Sequence, residues 1–315
     1  MKLLLLLGLG AFVAPQEAAQ PVAPVPVLHV ILLAGQSNME GQAVVDLDHE
    51  QHYNGGRGTL VRVLKEPAAR ERWGHLRNED GTWAERDDVG VWYRSAHEEK
   101  MGPLSIGYAV YGGRHHFGPE LGIGHALGKH FDGPVLLVKA AWGGKSLDVD
   151  FRPPSASGER GPYYDRMFDE LDAALEGISA AFPQWKDHAP RVDGFVWFQG
   201  WNDGCNDDET AAYASNLTHL IGDVRTQLGR PDLPVIVGET GNMAKPSLHA
   251  GQRAGCEHPD VAKNTTYVPT SAFLREAKDS PNVGHGHHWF GNAESYLLIG
   301  DALGEALVAL LPKPR

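Results

Sequence analysis

The chain has 315 residues, 42% of them hydrophobic, enough to bury a full core in one large domain or two smaller ones. Its formal net charge is −12 and no basic stripe breaks the acidic balance. That sets aside nucleic-acid binding, which needs clustered Lys and Arg against the phosphates, and suits a neutral or bulky polar substrate.

The first predicted element is MKLLLLLGLGAFVAP. Its apolar run, Leu3 to Val13, is too short to cross a bilayer and long enough for the core of a signal peptide over residues 1–20. Ala18 and Ala19 stand near a plausible cleavage point, and no cysteine follows to carry a lipid. A secreted or periplasmic protein without a membrane anchor is expected. The two cysteines, Cys205 and Cys256, fit a disulfide or two free thiols equally well.

Five apolar runs then have the length and β-branched character of buried strands: VLHVILLA (Val27–Ala34), PVLLVKAA (Pro134–Ala141), GFVWFQ (Gly194–Gln199), PVIVGE (Pro234–Glu239) and TTYVPTS (Thr265–Ser271). Between them, Tyr164–Phe182, Tyr213–Leu228 and Ala293–Leu311 repeat apolar residues at helical spacing. Strands alternating with helices predict one α/β domain over residues 26–312, a mainly parallel sheet sandwiched between two helical layers. Residues 49–116 are polar and glycine-rich, and Pro153–Gly161 is rich in Pro, Ser and Gly. Both read as loops inserted at one end of the sheet.

In open parallel sheets, ligands bind beyond the carboxyl ends of the strands. Here the strands run into GQSN, WGGKS, FQGWND and GETG, and the fifth is followed at a distance by HGHHWFGN. A serine needs a base to become a nucleophile and donors to hold the oxyanion its attack creates. Ser37 offers the hydroxyl, and His288 or His287 the base. The backbone N–H groups of Ser37, Gly143 and Gly144, with the Asn202 side chain, offer the oxyanion pocket. Each piece alone is unremarkable: a serine after a strand is more often a helix N-cap, and paired glycines usually make a turn. Their ordered occurrence at successive strand ends carries the argument.

The set resembles the SGNH hydrolases, in particular carbohydrate esterases of the sialate O-acetylesterase and acetylxylan-esterase type. GQSNM is similar to that group's first block, WGGKSL to the second, and Gly200-Trp201-Asn202-Asp203 to the G-x-N-D of the third. HHWFGNAESYLLIGDALGEA is similar to the histidine block before the last helix, and HFGPELGIG and DGTWAERDDVGVWY also match the group. The resemblance spans Val27 to Leu311. It implies a flavodoxin-like three-layer α/β/α sandwich with a mainly parallel five-stranded sheet. It also implies a serine acetylesterase without cofactor or metal, acting on an acetylated carbohydrate, with Gln36, Gln199 and Trp142 near the substrate. Within the block, the distance from His288 to GNAESY favours His288 over His287.

The chain departs from the group twice. Trp201 stands where many relatives carry a glutamate after Gln-Gly, and the D-x-x-H pattern fails, with His285 three residues before His288 and Gly284 three before His287. Asp203 or Glu239 could orient the histidine instead, or a Ser–His dyad could work through a backbone carbonyl.

Three other readings compete. GGKS is no phosphate loop, because the required glycine five residues before Gly144 is Lys139. His285, His287 and His288, with His115 and His116, suggest a metal, but adjacent histidines would have to point apart and no H-E-x-x-H occurs. A non-catalytic carbohydrate-binding module could stack sugars on Trp73, Trp83, Trp92 and Trp142, yet has no use for a serine, an oxyanion pocket and a histidine on successive turns.

Overall fold

The computed structural model describes residues 25–95 and 97–313; the expected signal peptide lies outside them. Seven strands form one sheet: β1 (Val27–Gly35), β2 (Arg86–Arg94), β3 (Glu99–Leu104), β4 (Val135–Ala141), β5 (Ala189–Phe198), β6 (Val235–Gly238) and β7 (Thr265–Val268). Their order is β3-β2-β4-β1-β5-β6-β7. All neighbours run parallel except the edge pair β2 and β3. The five expected strands are the parallel body of the sheet. The two additional strands come from residues 49–116, which are therefore structured, contributing two strands and several short helices.

The long helices are α1 (Glu120–His130), α2 (Pro162–Ala181), α3 (Asp207–Gln227), α4 (Pro246–Glu257) and α5 (Ala293–Leu310). Side chains of β1 alternate between two cores: Leu28, Val30, Leu32 and Ala34 pack with α2, α3 and α4, while Ile31 and Leu33 pack with α1 and α5. Both faces of the sheet are covered, which is why its strands read as unbroken apolar runs. Burying each such side chain contributes roughly 1.5–3 kcal/mol.

The helix starts follow ordinary capping chemistry. Asn206 accepts from the Asp208 and Glu209 amides to open α3, whose first turn carries three acids; Asn292 caps α5 through the Ser295 amide. α1 escapes the apolar-periodicity test because ELGIGHALGKH contains three glycines. Packing requires one of them directly: a Cβ on Gly122 would lie 2.6 Å from the Asp301 amide nitrogen of α5.

The tryptophans proposed as sugar platforms serve the core instead. Trp73, Trp92 and Trp142 are buried, and Trp83 is half-buried beneath the Arg77 guanidinium.

Candidate active site

β1 ends at Gly35, whose φ of +153° and close approach to the Phe198 carbonyl leave no room for a Cβ. The next residue, Gln36, turns the chain into a four-residue helix, Ser37–Glu40, so Ser37 sits at its first position with 8% of its surface exposed. Gln36 fixes this turn by both ends of its amide. Its Oε1 accepts from the Gly200 N–H (3.1 Å), and its Nε2 donates to Asn202 Oδ1 (3.0 Å).

Asn202 passes the connection on, donating from Nδ2 to the Gly144 carbonyl (3.0 Å). The turns after β1, β4 and β5 are thus joined into one rim. Gly143 stands against Ser37: a Cβ built on it would meet Ser37 Cβ at 3.7 Å and Glu40 Oε2 at 3.1 Å. Gly144 needs glycine for its φ of +73°, since open space lies beyond it.

The histidine turn closes the rim from the other side. Asn38, beside the serine, donates from Nδ2 to the His287 carbonyl (3.1 Å) and accepts from Tyr296 Oη of α5 (2.8 Å). Asn242, beyond β6, donates to the Gly286 carbonyl (3.0 Å). After His288, the buried Trp289 and then Phe290 both take left-handed φ of +54°. Such a conformation costs aromatic residues free energy and persists only where surrounding structure enforces it.

The imidazoles of His287 and His288 lie 4.1 Å apart, centroid to centroid, with Trp201 5.9 Å from His287. Burial, then the neighbouring His287 and His285, push His288 down to about 3. His287 is lowered by burial and by His285. Both rings are therefore neutral at physiological pH, the form in which an imidazole accepts a proton.

The candidate orienting acids lie elsewhere. Asp203, fully buried, accepts from the Leu147 and Asp148 amides (2.9 and 3.0 Å) and from Gln199 Nε2 (2.5 Å). Burial outweighs these bonds and pushes it up to about 6. Glu239 accepts from the Ser271 amide (3.0 Å) and from the hydroxyls of Ser271 and Tyr267. Burial opposes its charge, but the Ser271 and Tyr267 bonds prevail and hold it below the usual value. Among the described residues, neither carboxylate is paired with His287 or His288. Each clamps a loop instead, Asp203 the segment after β4 and Glu239 the segment after β7.

The expected substrate contacts also lie behind the rim. Gln199, 2% exposed, donates to the Lys145 carbonyl and accepts from Tyr213 Oη, so its amide is spent on scaffold. Gln36 is similarly engaged, and Trp142 packs between Phe151 and Tyr163 under Arg166. Cys205 is exposed and Cys256 buried, both as free thiols.

Sequence reasoning missed an ionic cluster beneath the serine. Lys139 of β4, wholly buried, donates to Glu120 Oε2 of α1 (2.7 Å), the Glu40 carbonyl (2.8 Å) and the Tyr108 carbonyl (2.5 Å). Tyr93 Oη of β2 donates to Glu40 Oε1 (3.2 Å). Burial raises Glu40, against the Tyr93, Lys139 and Gly143 interactions. A lysine inside the apolar run VLLVKAA was the available signal, because a buried cation must find a partner.

The fold is a mainly parallel α/β scaffold that carries a serine, a glycine pair, an asparagine and neutral histidines on its carboxyl rim. The chain belongs to the carbohydrate esterase family described as sialic acid-specific acetylesterase, whose family model matches residues 27–309. It is 25% identical over 232 residues to a protein described as a probable carbohydrate esterase of Arabidopsis thaliana, covering 72% of this chain and 75% of that one. An Arabidopsis thaliana crystal structure superposes with a TM-score of 0.56 at 16% identity, covering 90% of this chain and 99% of that one. A carbohydrate acetylesterase from Xanthomonas citri aligns at 14% identity and a TM-score of 0.47, covering 88% of this chain and 55% of that one.

Proposed function

We propose that the chain removes acetyl groups from sugar hydroxyls by nucleophilic catalysis at Ser37. The observation that carries this reading is the stitched rim: Gln36, Asn38 and Asn202 tie the serine turn to the glycine, asparagine and histidine turns through their side-chain amides. Ser37 Oγ attacks the acetyl carbonyl, and the imidazole of His288 takes its proton. The proton then passes to the departing sugar oxygen, leaving an acetyl group on Ser37. Water, deprotonated by the same histidine, releases acetate and restores the serine. With no carboxylate paired to the ring among the described residues, the chemistry is that of a Ser–His dyad.

The oxyanion pocket draws on the N–H groups of Ser37 and Gly144 and the second hydrogen of the Asn202 amide. Gly143, whose position lies against Ser37, is the alternative backbone donor to Gly144. Loss of one such donor raises the barrier by roughly 3 kcal/mol. Asn202→Ala should therefore lower kcat about a hundredfold or more with KM little changed. A rise in KM at constant kcat would remove Asn202 from the oxyanion pocket.

Acetate release from p-nitrophenyl acetate and acetylated sugars tests the reading, comparing wild type with Ser37→Ala, His288→Ala and His287→Ala. Folded but inactive Ser37→Ala and His288→Ala proteins are expected, with His287→Ala retaining activity. The opposite result for the two histidines moves the base to His287. A wild type that releases no acetate from any ester overturns the esterase reading. The same proposal places the enzyme outside the cytoplasm, on the strength of the apolar run Leu3–Val13. N-terminal sequencing of the exported protein would show the cleavage.

A further inference from the structure

An open cavity of about 620 Å³ lies beside the histidine turn, walled by His52, Tyr53, Tyr111, His116, Asn282 and His285. One connection leads from it to the serine's main chain and another to the two histidines. Tyr111 Oη donates to Gln42 Oε1 (2.7 Å), and Gln42 Nε2 donates to the Ser37 carbonyl (3.2 Å). His285, a wall of the cavity, has its ring 5.5 Å from that of His287 and 6.2 Å from that of His288.

The lining has the chemistry of a sugar site. The Tyr111 and His116 rings pack at 4.4 Å, and Tyr111, though large and aromatic, is 43% exposed. Aromatic faces of this kind cover the apolar C–H face of a pyranose. Around them are hydrogen-bonding groups suited to hydroxyls: the Asn282 amide, the Tyr53 hydroxyl and the histidine ring nitrogens. Burial and the neighbouring His115 and Lys100 push His116 down to about 4, so the ring is neutral at pH 7.

The lining contains no Lys, Arg, Asp or Glu. A sugar carboxylate would find no fixed cation there and would lose its hydration without compensation. We propose that this cavity is the subsite for the sugar bearing the acetyl group and that it accepts an uncharged pyranose in preference to a sialic acid. This rests on the esterase reading for its place in catalysis, while the binding it asserts stands by itself. The segment expected to be an inserted loop supplies most of the wall, so sugar choice resides in residues 49–116 and acyl chemistry in the strand-end turns.

The test pairs kinetics with direct binding. Tyr53→Ala and Asn282→Ala should raise KM for an acetylated xylo-oligosaccharide about tenfold, the effect of one lost stack or hydrogen bond, and leave kcat/KM on p-nitrophenyl acetate within twofold. Tyr53→Phe, which keeps the ring, should fold normally and show the hydroxyl's share alone. Titration calorimetry with deacetylated xylo-oligosaccharide should give binding to the wild type that Tyr53→Ala weakens by the same factor. Binding with that loss supports the subsite even if no acetyl ester is cleaved, in which case the esterase reading alone falls. Kinetics and binding unaffected by all three substitutions overturn the subsite. Turnover of an O-acetylated sialic acid with higher kcat/KM than the neutral substrate overturns the preference for an uncharged sugar.

Discussion

The two flanks of β1 hold the serine turn by different physical means. On the β4 side the support is ionic: buried Lys139 meets Glu120, and Tyr93 donates to the Glu40 carboxylate. On the β5 side it is made of amides: Gln36 bridges to Gly200 and Asn202, while Asp203 gathers the Leu147 and Asp148 amides and Gln199 without any cation. In one flank a full charge compensates a buried carboxylate; in the other only dipoles do. Burial raises a carboxylate on both flanks, Glu40 beside Lys139 and Asp203, which has no cation and is carried up to about 6. The flanks should accordingly differ in how badly one substitution damages them and in how they respond to pH.

The largest expected effect is on the ionic flank. Lys139→Met leaves Glu120 buried without its cation, and breaking such a pair costs about 3–5 kcal/mol. Lys139→Met combined with Glu120→Gln removes the stranded charge and should recover much of the loss. Urea unfolding measures both. A single variant within 1 kcal/mol of wild type would mean that the three carbonyl and carboxylate contacts of Lys139 carry little stability.

The amide flank should show a smaller and pH-dependent effect. The ordinary Asp203 value of 3.8 is raised to about 6 in the folded chain, so between these limits the folded state holds a proton that the unfolded state has lost. This term stabilises the fold as pH falls from 6 towards 4, by about 3 kcal/mol at most, and is absent above 6. Asp203→Asn removes it. The variant should be destabilised by about 1–3 kcal/mol, more at pH 4.5 than at pH 8, again by urea unfolding. Destabilisation that grows with rising pH would mean that Asp203 is held as a stabilised carboxylate and that the two flanks are alike.

The contrast also separates what the sequence revealed from what it concealed. Turns such as GQSN and FQGWND were legible because each interrupts an apolar run, and a parallel sheet collects such turns on one edge. β2 was concealed by its polar start at Arg86–Asp88, although VGVWY within it is apolar, and β3 by its Gly102 and Pro103. α1 was concealed by glycines whose close packing, Gly122 on α5 and Gly124 and Gly128 on the sheet side, appears only in three dimensions. Asp203 and Glu239 are candidates for the triad acid in the sequence, since both come soon after a strand at the active rim. Only their hydrogen-bond partners, loop amides, Gln199 and two hydroxyls, show what each carboxylate holds, and spacing along the chain carries no record of those partners.

The smallest expected effect is the flattest pH profile. An unperturbed imidazole near 6.5 leads to an esterase that fades just below neutrality. The structure alters that expectation, because His288 is largely buried and faces His287 and His285, and all three disfavour a further positive charge. With its value lowered to about 3, His288 stays an unprotonated base well below pH 6. The logarithm of kcat/KM on p-nitrophenyl acetate should therefore stay level from pH 7 to about pH 5, short of acid unfolding followed in parallel by fluorescence. Replacing His287 with Gln removes one repelling neighbour and should move any acid limb towards higher pH. A wild-type limb centred near 6.5 would show a solvated base free of its neighbours, and would count against His288.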